Sequence, residues 1–190
     1  MTRLVCTASV VALVLLVLTS STPSAAQDPR AKIKTASGLL LGPPNPSVTQ
    51  PAIVNAVLDL LDVAASLTRE SQYGQEIKYH IDVARDLFLK TSLFNEKARQ
   101  YLSFAHRMMT GGKKYERPTG LDEFVTPEEQ REKARTYCAT LVNGALGALE
   151  RGDKVEAATC LLEVVLAIVT PVSGAPVSVS PPVRTMLSSA

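Results

Sequence analysis

Apolar side chains recur every three to four residues through four stretches of this chain, and a fifth is apolar almost throughout. All five read as helices. From about Pro51 to Arg69, Ile53, Val57, Leu60, Leu61, Ala64 and Leu67 fall on one face, opposite Asn55, Asp59, Asp62, Ser66 and Arg69. A second helix, about Gln75 to Thr91, turns Ile77, Ile81, Ala84 and Phe88 inward. A third, about Asn95 to Met109, does so with Ala98, Leu102, Ala105, Met108 and Met109, and a fourth, starting at Pro127, with Ala134, Cys138, Leu141, Ala145 and Ala148. The fifth, Asp153 to Thr170, has no polar stripe. Between Ala157 and Val169 only Thr159, Cys160 and Glu163 interrupt the apolar run. Such a helix is expected to be buried on most sides. It is too short, and Glu163 too polar, for a bilayer span, so it is read as the core helix around which the others pack.

Punctuation supports these bounds. Asp153 with Glu156 three residues later makes a capping-box-like start, and Thr126-Pro127-Glu128-Glu129 places Thr at N-cap and Pro at N1. Gly111-Gly112 and Arg151-Gly152 stop the third and fourth helices, and Pro171 and Gly174 follow the fifth. The expected fold is therefore all-α: about five helices packed as antiparallel hairpins over residues 50–171, as a bundle or short array. Residues 27–49 hold Pro29, Pro43, Pro44 and Pro46 and are expected to be an extended lead-in, with Leu39, Leu40 and Leu41 docked on the core. Residues 172–190 read as a disordered Pro/Ser-rich tail. The stretch between Gly112 and Val125 is long for a compact domain, hence functional or mobile.

Gly144 and Gly147 sit inside the fourth helix, where each costs about 1 kcal/mol relative to Ala. They imply a small-residue face, with Gly144 and Ala145 directly beneath the fifth helix near Leu161 and Leu162. The series Leu141, Gly144, Ala145, Ala148, the Gly152-Asp153 turn, Ala157 and Leu161 resembles one tetratricopeptide helix pair over residues 141–171. The large aromatic positions of that pattern are here Leu141, Ala148 and Leu161. The resemblance implies a helical-hairpin fold used for protein interaction. Internal echoes (Glu96-Lys97-Ala98-Arg99 with Glu132-Lys133-Ala134-Arg135, Asp62-Val63-Ala64 with Asp82-Val83-Ala84) occur at unequal offsets, which argues against a regular solenoid.

The N-terminus reads as a signal peptide. Arg3 precedes an apolar run from Leu4 to Leu18, and Ser24-Ala25-Ala26 offers a small-residue cleavage site. Cleavage after Ala26 and an exported, periplasmic or extracellular location are expected. Export raises the question of disulfides. In the proposed hairpin Cys138 and Cys160 are offset axially by about 9 Å, on top of an interaxial distance of about 8–10 Å. A bridge needs Cα atoms within about 7 Å, so both are expected as buried free thiols. Charge is near balance, with 20 Lys+Arg against 18 Asp+Glu, which gives no electrostatic case for nucleic acid. The absence of tryptophan weakens any case for stacking on sugars.

Candidate chemistry is sparse. His80 stands one turn after Glu76, a spacing that could hold a metal or a polar site, but no second such pair exists. His106 shares a polar face with Arg99 and Ser103 and reads as a surface residue. No nucleophile elbow, phosphate-binding glycine loop or zinc motif is present. Arg107, Lys113, Lys114 and Arg117 cluster around the Gly-Gly turn and could form an anionic-ligand or membrane-surface patch, but Glu116, Asp122 and Glu123 dilute it and a solvated loop is the plainer reading. No catalytic residue, cofactor or metal is assigned. The expected function is a non-enzymatic protein-interaction or scaffolding module of the cell envelope with an unidentified protein partner. Membrane contact is expected only through an uncleaved N-terminal segment. Two alternatives stay open: a carrier of a small apolar ligand, suggested by Met108-Met109, and an enzyme of unrecognised type centred on His80.

Overall fold

The computed structural model describes residues 28–43, 47–118 and 127–170, and every element among them is a helix. These are α1 (Pro29–Leu41), α2 (Gln50–Leu67), α3 (Gly74–Lys90), α4 (Glu96–Met109), α5 (Pro127–Glu150) and α6 (Lys154–Val169). The signal peptide, the Thr126 cap and the C-terminal tail read from the sequence lie outside the described residues.

α6 packs against α2, α4 and α5, and α2 packs against α1, α3 and α6. The expected core helix is thus in the core: Ala157, Ala158, Leu161, Leu162, Val164, Val165, Leu166, Ala167 and Val169 are all buried. Each large apolar side chain so buried contributes about 1.5–3 kcal/mol. α2 shares the interior through Val57, Leu60, Leu61 and Ala64. It is long and apolar enough to cross a membrane by composition, but half of its span is buried inside this fold.

Local chemistry sets the helix ends. Asp153 accepts from the Glu156 backbone N–H at 2.9 Å, and Asn95 from that of Ala98 at 2.9 Å. α5 closes in a Schellman turn: Gly152 takes φ 79°, the Asp153 N–H reaches Ala148 O at 2.9 Å and the Gly152 N–H reaches Leu149 O at 3.2 Å.

Two expectations are corrected. Residues Pro29–Leu41 are a helix, not an extended lead-in. Asp28 caps it by accepting from Arg30 N–H at 3.1 Å, Pro29 occupies the first turn where its missing N–H costs nothing, and Gly42 ends it. Ile33 and Ala36 are fully buried, and α1 packs on α2 and α5. Gly144, in turn, does not lie under Leu161 and Leu162. Its neighbour Ala145 is buried, while Gly144 itself is exposed and a Cβ there would meet Cys160 Sγ at 3.5 Å.

Candidate functional site

Arg99, Ser103 and Arg107 follow one another at four-residue spacing on α4, so they share a face. The chain then reverses. Gly111 and Gly112 take φ 66° and 95°, and the Gly112 N–H bonds to Arg107 O at 2.7 Å. The turn lays Tyr115 edge-on against His106, ring centres 5.8 Å apart, and the Arg117 guanidinium donates to Thr170 O at the end of α6. Between these walls runs a groove of about 600 Å3, lined by Arg99, Ser103, Phe104 and Arg107 from α4, by Lys114, Tyr115 and Arg117 from the loop, and by Leu166 and Thr170. Glu96 is the one carboxylate among its lining residues, so four cations face one anion.

Three of the four cations singled out by the sequence, Arg107, Lys114 and Arg117, therefore meet in one groove; Lys113 is not among its walls. Arg99 is the addition, and its four-residue step to Ser103 and Arg107 is the signal that would have found it. Among the described residues no salt bridge engages Arg99, Arg107 or Lys114. Arg99 is half-buried, with its Nε buried and unpartnered.

Beside the groove lies a buried polar cluster. His106 is 3% exposed, not a surface residue, and its Nε2 is 2.9 Å from Glu163 Oε1 on α6. Its position borders the core face of α4, and α6 and Tyr115 close over it. Glu163, the one charge in the apolar run of α6, thereby gains a partner. The Nδ1 of His106 is buried without a hydrogen-bond partner, and the hydroxyl of Tyr115 is buried beside that of Tyr137. Burial pushes the Tyr115 hydroxyl well above the ordinary phenol range, against the opposing pull of Arg117. Burial also raises Tyr137, and the Glu163 charge adds to the effect. The Cys138 thiol is lifted to about 11, again by burial. Cys160 is raised by burial and then by Glu163 and Glu156. Both thiols are free, Cys138 buried and Cys160 half-buried.

His80 sits elsewhere in character. It is half-buried among the rings of Tyr79, Tyr101 and Phe104, at centroid distances of 5.6, 5.7 and 5.7 Å. Glu76 is exposed, and among the described residues no hydrogen bond or ion pair joins it to His80. No group of three or more His, Cys, Asp or Glu side chains placed to hold a metal occurs among the described residues. Met108 and Met109 are half-buried against the core. A second groove of about 480 Å3 lies where Leu40, Leu41, Ala167, Ile168 and Cys138 meet.

No protein-family model matches the chain, no curated protein matches it in sequence, and no solved structure matches it in fold.

Proposed function

We propose that this protein is an exported, non-enzymatic helical interaction module, with helices paired as antiparallel hairpins and the α4 groove as its contact surface for a protein partner. The observation that carries this reading is the set of groove cations left without carboxylates, Arg99, Arg107 and Lys114. Several exposed cations elsewhere in the fold are matched to acids, as in Lys78–Asp82, Lys90–Asp86 at 2.6 Å and Lys154–Glu70 at 2.8 Å, and others such as Arg30, Lys34 and Lys97 stand singly among the described residues; the groove differs in gathering its unmatched cations along one concavity. Unmatched like charges lining a concavity repel one another and gain by meeting an anionic partner. Export rests on the signal-peptide pattern of residues 1–26, and N-terminal sequencing of the secreted form should begin at Gln27. The interaction reading is tested by capture from envelope extract on immobilised wild type and on Arg107→Glu. A partner held by wild type and released by the variant supports it; identical capture by both contradicts it.

A second reading, carriage of a small apolar ligand, draws on the groove beside Leu40, Leu41 and Ile168. Native mass spectrometry of the purified chain should then show a co-purified lipid-sized mass.

A further inference from the structure

Resting on the interaction reading, we infer that the α4 groove takes an extended acidic peptide with two carboxylates four residues apart and an apolar side chain midway. Arg99 and Arg107 are eight residues apart on one helix, about 12 Å at 1.5 Å per residue. That separation is too wide for a single phosphate or carboxylate to bridge. The groove holds about 600 Å3, less than the roughly 900–1,400 Å3 that 12 Å of helix, 10–12 Å wide, would fill. A helix would therefore stand largely outside the groove, whereas one extended chain lies within it. In an extended chain, positions i, i+2 and i+4 share a face and span about 13 Å at 3.3 Å per residue. Two acids at i and i+4 would therefore reach Arg99 and Arg107 together, with Lys114 on the opposite wall.

The middle position is defined by Phe104. It lies between the two arginines along α4 and is 49% exposed. It is held from behind by the His80 ring at 5.7 Å. His80 contacts exposed Tyr79 at 5.6 Å and half-buried Tyr101 at 5.7 Å. This is an aromatic shelf with no covering element among the described residues, and an apolar side chain at i+2 would lie against it. The concavity argues against a planar anionic membrane as occupant, and the near-neutral overall charge against a nucleic acid.

The test is fluorescence polarisation of the full-length chain with labelled peptides containing Glu-Ser-Phe-Ser-Glu, a scrambled form with adjacent glutamates, and a form with alanine for phenylalanine. The inference expects the first to bind about tenfold more tightly than either of the others. Arg107→Ala should weaken it about tenfold and Phe104→Ala about threefold. Lys90→Ala, which removes an exposed cation paired to Asp86, should leave it unchanged. Circular dichroism of each variant checks that the helices persist. Equal binding of ordered and scrambled peptides overturns the spacing while leaving an acidic-partner module standing. Binding of phosphatidylglycerol vesicles or oligothymidine in place of every peptide overturns the inference in favour of a lipid surface or a nucleic acid. Absence of binding to any of these probes overturns both the inference and the interaction reading.

Discussion

Two flanks of the molecule use their charges in opposite ways. On the α1–α2–α3 side, Lys32 reaches Asp59 at 3.2 Å and Asp62 at 3.8 Å, Arg85 reaches Asp62 at 3.0 Å and Asp82 at 3.5 Å, and Lys78 pairs with Asp82. Each pair is partly exposed and worth only about 0–1 kcal/mol, but the shared acids tie three helices together. On the α4–loop–α6 side the buried polar pair is His106 with Glu163, while at the surface Arg99, Arg107 and Lys114 line the groove without a salt bridge among the described residues. One flank joins its helices through shared ion pairs. The other has spent its carboxylate inside and left its guanidinium and ammonium groups facing a groove. The contrast separates charges that hold the fold from charges free to hold something else.

Alkaline pH should have the largest effect, through the buried thiol of α5. Cys138 is raised to about 11 from 9, so the folded state favours the neutral thiol. Its contribution is complete below about pH 9, where the unfolded thiol is also neutral, and is lost as pH rises from about 9 to about 11. A two-unit shift corresponds to at most about 3 kcal/mol. Urea melts at pH 8 and pH 11 should show a smaller loss for Cys138→Ala than for wild type; an equal loss would place the sensitivity elsewhere, in Tyr115 or Tyr137. The same burial predicts that a thiol reagent at pH 8 modifies Cys160 well before Cys138.

Breaking the buried pair comes next. His106→Ala should destabilise by about 1–3 kcal/mol, because it leaves the largely buried Glu163 without its partner. A chemical melt within 0.5 kcal/mol of wild type would mean the pair is not structural. On the paired flank, Arg85→Ala removes one guanidinium from two carboxylates and should cost up to about 1 kcal/mol, less at high salt.

Gly144→Ala sharpens the account of α5. Its added Cβ would meet Cys160 Sγ at an ordinary 3.5 Å, so helix propensity should stabilise the chain by up to about 1 kcal/mol. A lower melting temperature would show that the glycine is required.

The core helix was legible in the sequence because its signal is local: Asp153, Glu156 and an apolar run state their own role. The first of the described helices, α1, was not. In residues 27–49 the prolines dominated the reading, although Asp28-Pro29 is a helix start and Pro43 falls after the helix end. His106 was read as exposed because a helix wheel places it beside Arg99. Its burial depends on Glu163, 57 residues away, which no local pattern encodes. The groove was half legible. Cation density around the Gly-Gly turn marks Arg107, Lys114 and Arg117, whereas Arg99 is marked only by its four-residue steps to Ser103 and Arg107 along α4, and the turn then folds the loop back to face it.

The smallest stability effect carries the central claim. In Arg107→Ala/Lys114→Ala both exposed cations are removed from the groove, and the unfolding free energy should stay within about 0.5 kcal/mol of wild type. Affinity for the Glu-Ser-Phe-Ser-Glu peptide, measured on the same sample, should fall at least tenfold. An unfolding free energy that drops as it does for Arg85→Ala, or an affinity that does not change, would show that these cations hold the fold or hold nothing, and would contradict the account.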